Sequence, residues 1–204
     1  MRIRTLALAS GALAAALVLA GCSSNNDNMD GMAGMDHGSM GMGSPSSSSA
    51  DANAADSMFA MMMIPHHQQA VVMSDMMLAK DGLDPRITEL AQQIKDAQGP
   101  EIDKMKSWLD GWGTPYDESS AMSMGDMMSG MLSDDDLSAL DAATGTDASK
   151  LFLTQMIAHH EGALEMAQSE VDNGQNADAV ALAKEIVTAQ TAEIATMKEL
   201  LASL

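Results

Sequence analysis

Two pairs of adjacent histidines have the residue type and spacing that could do chemistry in this sequence. His66 and His67 form the first pair, and His159 and His160 form the second pair 93 residues later. A neutral imidazole nitrogen binds metal ions, and histidine also carries protons near neutral pH. A single pair would be better explained as packed or solvated histidines, but its duplication favours a metal site.

The histidine pairs belong to an internal duplication of the chain. Residues 59–73 and 152–166 share phenylalanine, methionine, isoleucine, alanine and the histidine pair in the same register. After a gap of one residue, the segment 90–109 matches the segment 182–201 in the same way. Two copies of a unit of this length indicate a repeated supersecondary structure.

The helical periodicity of each repeat turns its histidines toward the interior. With Met63 or Met156 near the centre of an apolar face, both histidines of a pair fall on that face. Glu101 lies in the middle of the apolar stripe of the next helix, and Glu193 occupies the matching position. Because a buried carboxylate needs a partner, we expect four imidazoles and two carboxylates to converge on one layer. The alternative is that each glutamate simply pairs with a nearby lysine or histidine.

Composition and periodicity predict an all-α protein. The chain has 22 methionines but only 2% aromatic residues, which indicates a helical core of aliphatic and methionine side chains. Each repeat predicts two helices of about 24 to 28 residues, which suit an antiparallel four-helix bundle of the ferritin-like type made of two helical hairpins. The predicted helices span residues 57–80, 85–111, 149 or 150 to 172, and 177–204, with a short capped helix at 133–142.

The residues that precede the histidines distinguish this bundle from the di-iron carboxylate proteins. Those bundles use Glu-x-x-His motifs, whereas Met63, Ile64, Met156 and Ile157 stand three residues before the four histidines here. A soft donor therefore replaces a hard one. Thioether and imidazole together suit copper, and iron that activates oxygen requires more carboxylate.

Ten further methionines lie in segments rich in Gly, Ser and Asp, where no apolar core is predicted. Thioethers two or three residues apart on a flexible chain can surround Cu(I), which is itself soft. A low-complexity spacer is the competing interpretation. The predicted secondary soft-metal residues are Met29, Met32, Met35, His37, Met40 and Met42 in an N-terminal tether, and Met122, Met124, Met127, Met128 and Met131 in a linker.

The N-terminus predicts export. Arg2 and Arg4 precede an apolar run over residues 6–20, as in a signal peptide. The run ends in Leu-Ala-Gly-Cys, which resembles the lipobox of bacterial lipoproteins, so Cys22 is expected to carry lipid; a plain secreted protein is the alternative. The predicted organisation is a signal peptide at 1–21, a disordered tether at 22–56, a first hairpin at 57–112, a linker at 113–148 and a second hairpin at 149–204.

Charge and cysteine content exclude several classes of protein. The formal net charge of -19 leaves no basic face for a nucleic acid and favours a cationic partner. A single cysteine allows neither an internal disulfide nor a thiolate cluster. Once Cys22 is assigned to lipid, methionine is the only soft sulfur ligand left.

The strings MIPHHQQAVVMS, MKSWLDGWGTP and LFLTQMIAHHEGALEMA resemble the domain of unknown function 305 family of bacterial exported proteins over about residues 58–201. The resemblance implies a ferritin-like helical bundle with a role in copper binding and copper tolerance. The implied ligands are Met63, His66, His67 and Met73 in one repeat, and Met156, His159, His160 and Met166 in the other. Pro65 faces Ala158 of the other repeat, and a proline there should kink the helix, so the two halves need not bind equally.

These observations predict an exported, lipid-anchored protein that binds copper on the extracytoplasmic side of the cell membrane. It would sequester copper or pass it to a transporter or acceptor protein, with Cu(I) expected over Cu(II), and would not be an enzyme. One alternative is a ferritin-like metal oxidase that uses Glu101, Glu193 and the four bundle histidines. The other is an interaction module that binds no metal.

Overall fold

The protein is represented by a computed structural model that describes residues 52–118 and 128–204. The described residues form five helices and no strand, which confirms the predicted all-α class. None of these five helices is both long and apolar enough to span a membrane. The helices are α1 (Ala54–Leu78), α2 (Pro85–Gly111), α3 (Asp134–Ala142), α4 (Gly145–Asn173) and α5 (Ala177–Ser203).

The four long helices form two antiparallel hairpins that pack side by side. Helix α1 packs on α2, and α4 packs on α5, while α1 and α4 contact each other in the centre. Because α1 also runs antiparallel to α4, helix α2 ends and α4 begins at opposite ends of the bundle. The connection between them is therefore a long crossover, which is the ferritin-like arrangement.

Two apolar cores lie at opposite ends of the bundle, and the histidine pairs lie between them. The repeat places equivalent residues in opposite cores, so that Met63 belongs to one core and Met156 to the other. The two hairpins are thus related by an approximate twofold axis through the histidine layer. The first core includes Met73, Met77, Ile94, Phe152, Met156 and Met197, and the second includes Phe59, Met63, Met105, Leu109, Ala167 and Ile186.

The structure corrects the predicted starts of two helices. Helix α1 begins at Ala54 and not at residue 57, because Asn53 caps it and forms a reciprocal capping box with Asp56. The last residues of the predicted tether are therefore helical. Helix α4 begins at Gly145 and not at residue 149, although Thr144 provides no side-chain cap. The short helix α3 and its capping box are confirmed.

Two buried carboxyl groups, those of Asp56 and Glu170, lie where the start of α1 meets the turn between α4 and α5. Asp56 accepts hydrogen bonds from the backbone N–H groups of Gln175 and Asn176, both at 2.9 Å. Burial alone would raise the pKa of Asp56, but backbone N–H donors outweigh burial and lower it. Glu170 beside it is also buried, and neither of its oxygens meets a described hydrogen-bond donor. Burial and then the neighbouring Asp56 raise the pKa of Glu170 to about 8, so Glu170 is protonated at neutral pH.

Raising the pH through the pKa of Glu170 should destabilise the bundle. The folded state holds this proton more tightly than the unfolded chain does, so the free energy of unfolding should fall from about pH 4.5, the ordinary pKa of a glutamate, and level off above about pH 8. Urea denaturation at several pH values measures the decline. Glu170→Gln, which cannot titrate, should remove the Glu170 contribution. An equal decline in both proteins would contradict the assignment.

Candidate metal centre

All four histidines of the repeated pairs are buried, which confirms the inward orientation expected from the periodicity. Adjacent residues on a helix point about 100° apart. Both members of a pair are buried because each central helix has a neighbour on two sides. His66 and His159 face each other across α1 and α4, whereas His67 faces α2 and His160 faces α5.

Each outer histidine pairs with the glutamate of its own hairpin. The distance from His67 Nε2 to Glu101 Oε2 is 2.7 Å, and the distance from His160 Nε2 to Glu193 Oε2 is 2.6 Å. Both glutamate side chains keep 23% of their surface exposed. Carboxylates commonly orient metal-binding histidines in this way through the second ring nitrogen. In the part of the chain that the structure describes, the Nδ1 atoms of both outer histidines have no hydrogen-bond partner.

The central histidines form a stacked pair without hydrogen bonds. The ring centroids of His66 and His159 lie 3.7 Å apart with an interplanar angle of 35°. Both nitrogens of each ring are buried and lack a hydrogen-bond partner among the described residues. An unpaired buried polar group costs about 1–3 kcal/mol. The pair is therefore expensive to bury, and a ligand that engages these nitrogens would recover part of that cost.

Burial keeps the central histidines neutral. Burial lowers the pKa of His66 to about 3, and His67 and His160 lower it further. The Ser129 backbone lies close enough to oppose part of this shift, but it does not form a hydrogen bond with His66. Burial likewise lowers the pKa of His159 well below its usual value, and His66 lowers it further. A neutral imidazole offers a lone pair to a metal at neutral pH.

The six predicted His and Glu ligands do not converge on a single point. Within residues 52–118 and 128–204, no group of three or more His, Cys, Asp or Glu side chains is arranged to hold a metal ion. The layer instead consists of a central imidazole pair flanked by two His–Glu pairs. Each glutamate reaches only the histidine of its own hairpin because α2 and α5 lie on the outer sides of the central helices. The six side chains thus lie in the one layer that the periodicity predicts, and within it each glutamate pairs with a nearby histidine.

The methionines predicted as bundle ligands lie in the apolar cores on either side of this layer. Met63, Met73 and Met156 are fully buried there, and Met166 is partly buried against the second core. Core packing accounts for the burial of these four side chains without a metal.

Two buried glutamines complete the polar layer and were not predicted as site residues. Gln98 and Gln190 occupy equivalent positions in the repeats, one turn before Glu101 and Glu193. The Oε1 atom of each amide is buried and lacks a hydrogen-bond partner in the described part of the chain. The sequence contained a signal for them, because a polar residue recurs in the same place on an otherwise apolar helix face.

One part of the crossover lies across the histidine layer, and we call residues 128–132 the strap. Gln69 of α1 holds it with two hydrogen bonds to the Leu132 backbone, donating to its carbonyl at 2.9 Å and accepting from its N–H at 2.8 Å. Gly130 has a φ of 82°, and a Cβ atom there would lie 2.6 Å from the Ala158 carbonyl. A Cβ on Gly162 of α4 would collide with the Ser129 carbonyl. Glycine is required at both places because the strap and α4 are in direct backbone contact.

The strap contains Met128 and Met131, two of the predicted linker methionines. Met128 is buried and Met131 is partly buried. The remaining predicted soft-metal residues, Met29, Met32, Met35, His37, Met40, Met42, Met122, Met124 and Met127, and the lipidation residue Cys22 lie outside the described residues.

A cleft of about 1020 Å³ lies beside the strap, next to the histidine layer. Pro65, Gln69 and Met131 are among the residues that line it. Carboxylates of Glu118, Asp134 and Asp135 border it, so a cation that approaches from solvent would meet negative charge first.

Adding a methyl group at the contact between strap and helix should destabilise the fold. Gly162→Ala would force α4 and the strap apart, and overpacking of this kind costs about 1–3 kcal/mol. Gly111→Ala is a matched control, since no described residue lies within 4 Å of its Cβ position, and it should change stability by less than about 0.5 kcal/mol. Thermal denaturation of the two variants measures the difference. Equal stability would show that the strap does not pack on α4 in this way.

Two repeated helical hairpins that bury paired histidines between two apolar cores define the class of this protein. The model of a domain of unknown function, DUF305, matches residues 56–201. The chain belongs to the DUF305 family, as the resemblance of its sequence motifs predicts. No curated protein matches the chain significantly.

Solved structures with the same fold include two DUF305 proteins and CopM. A candidate secreted DUF305 protein from Streptomyces coelicolor is 35% identical, with a TM-score of 0.66, and the match covers 73% of this chain and 93% of that one. A DUF305 fragment from Deinococcus radiodurans is 30% identical, with a TM-score of 0.65 and coverage of 75% and 99%. CopM in its Cu(I)-bound form is 33% identical, with a TM-score of 0.60 and coverage of 72% and 96%. CopM has also been solved bound to Ag and to Cu(II).

Proposed function

We propose that this protein binds copper outside the cytoplasm, either to sequester it or to pass it to a transporter or another acceptor. The observation that carries the proposal is the central imidazole pair. His66 and His159 are buried, neutral and stacked, and their four ring nitrogens have no hydrogen-bond partner within residues 52–118 and 128–204. Such nitrogens can bind a metal ion without first losing bound water, because they are already buried.

The chemistry of the surrounding donors favours Cu(I). Imidazole suits several transition metals, but thioether donors select soft ions such as Cu(I). The chain has 22 methionines, and its one cysteine lies in the predicted lipobox. The Cu(I)- and Ag-bound forms of CopM support this proposal, because both are soft ions bound by a protein of the same fold.

Copper would reach the bundle through successive exchange of ligands. The methionines of the tether and the linker would capture the ion, and the excess of carboxylates would raise its local concentration. The cleft beside the strap offers a route, because Met131 lines it together with the acidic residues Glu118, Asp134 and Asp135. The histidine layer would then hold the ion away from water.

A lipid anchor at Cys22 would keep the protein on the extracytoplasmic side of the membrane. The lipobox after the apolar run supports this assignment, and the candidate secreted protein from Streptomyces coelicolor supports export. Several acyl chains would anchor it stably, since one chain alone binds only marginally.

We propose binding and not catalysis. A di-iron oxidase shares its carboxylates between the metal ions, whereas Glu101 and Glu193 each contact the histidine of their own hairpin. Adding Fe(II) or Cu(I) in air should therefore cause no oxygen consumption beyond that of the free ion. Faster uptake that depends on Glu101 and Glu193 would favour the oxidase.

Replacing both central histidines should weaken copper binding without lowering the stability of the fold. The double variant His66→Leu and His159→Leu removes buried nitrogens without partners, so its melting temperature without copper should be unchanged or higher. The same variant should lose Cu(I) at the bundle, with affinity reduced at least about tenfold. An anaerobic titration against a Cu(I) chelator measures the affinity.

The control for this experiment is a second pair of buried residues. Met77→Leu with Met197→Leu changes two thioethers in the first core and should leave Cu(I) affinity unchanged. Met-to-Ser substitution of the tether methionines together with Met122, Met124 and Met127 should lower the number of ions captured but retain the bundle site. If only these Met-to-Ser changes abolish binding, the bundle is a scaffold. If the unsubstituted protein binds no Cu(I) and its melting is unchanged, the interaction module is favoured.

A further inference from the structure

A third donor would change the central imidazole pair from a two-coordinate to a trigonal site for a soft ion. His66 and His159 supply at most one nitrogen each to a shared ion, and their glutamate neighbours are directed to the outer histidines. No third His, Cys, Asp or Glu in the described part of the chain joins them. A third ligand from the described residues would therefore be of another type, and a thioether is the soft donor that this sequence supplies in abundance.

Met128 of the strap is in the right place to supply that thioether. Its side chain is buried, with only 6% of its surface exposed, yet it belongs to neither apolar core. The next residue, Ser129, brings its backbone close to His66. Gly130 then passes over α4, where a Cβ atom would lie 3.0 Å from the Cα of His159. The chain on the C-terminal side of Met128 thus contacts both central histidines.

We propose that the sulfur of Met128 is the third ligand of a soft ion held between His66 and His159. The inference rests on the proposed function. The strap would complete the site and exclude water from it at the same time. The two Gln69 hydrogen bonds to Leu132 fix the strap on α1 and place Met128 before the ion arrives.

Two of the linker methionines, Met128 and Met131, would then have different roles. Met128 belongs to the bundle site, whereas Met131 is partly exposed and lines the cleft. Met131 would meet copper on its way in, and its loss should have little effect on the ion once bound.

Met128→Leu tests the proposal in a background that removes other exposed thioethers. In this full-length background Met29, Met32, Met35, Met40, Met42, Met122, Met124 and Met127 are changed to Ser. Leucine preserves the apolar volume, so melting without copper should be nearly unchanged. Affinity for one equivalent of Cu(I) should weaken at least about tenfold, since even an outer-shell partner contributes about 10- to 100-fold. X-ray absorption at the copper edge should show one sulfur neighbour in the background protein and none after Met128→Leu.

Two matched controls locate the effect. Met105→Leu replaces a fully buried thioether in the second core, and Met131→Leu replaces one three residues further along the strap. Both should retain the sulfur neighbour and the affinity. Loss in Met131→Leu instead of Met128→Leu would overturn the proposal, as would nitrogen-only coordination in the background protein.

A measurement on the unsubstituted chain guards against a folding defect in the variant. Ag(I) is diamagnetic, so the 13C-methyl signals of methionine can be followed when one equivalent is added. The Met128 methyl should shift, and an unchanged Met128 signal while the histidine signals shift would overturn the inference alone. If the background protein binds neither Cu(I) nor Ag(I) at the bundle, the proposed bundle site fails first.

Discussion

The burial of two imidazole rings against each other is the constraint on which the rest of the structure depends. The rings of His66 and His159 stack at the centre of the molecule with four nitrogens that meet no hydrogen-bond partner among the described residues. Each such group costs about 1–3 kcal/mol, which is large beside a total stability of about 5–15 kcal/mol for a domain. Two apolar cores, one at each end of the bundle, hold this layer in place.

The duplication places two equivalent hairpins around this layer, but the chain between them breaks the symmetry. The strap crosses the layer once, with Gln69 on one side and Gly162 on the other. Pro65 adds a second difference, although α1 continues through it without interruption. Unequal binding by the two halves therefore stays a prediction with a physical basis, because the two histidine pairs have different neighbours.

The carboxylates of this bundle are arranged differently from those of the di-iron proteins. When glutamates share a centre, they stabilise hard ions and suit oxygen activation. Here Glu101 and Glu193 contact the outer histidines, His67 and His160. The central pair therefore offers only neutral nitrogen donors. The low pKa of His66, about 3, keeps that donor unprotonated at neutral pH. A soft ion of low charge suits such a neutral, desolvated pair better than an iron centre does.

The sequence by itself determined the helices, the duplication and the inward face of the histidine pairs, because each depends on short-range periodicity repeated in two copies. The predicted start of α1 was three residues too late, because the capping residue Asn53 lies outside the apolar pattern. Only the tertiary structure decided which histidine meets which partner and that Glu101 reaches His67 and not the centre. It also decided that Met128 of the strap is buried. These outcomes depend on how helices distant in sequence pack and on the path of a crossover that has no periodicity to read.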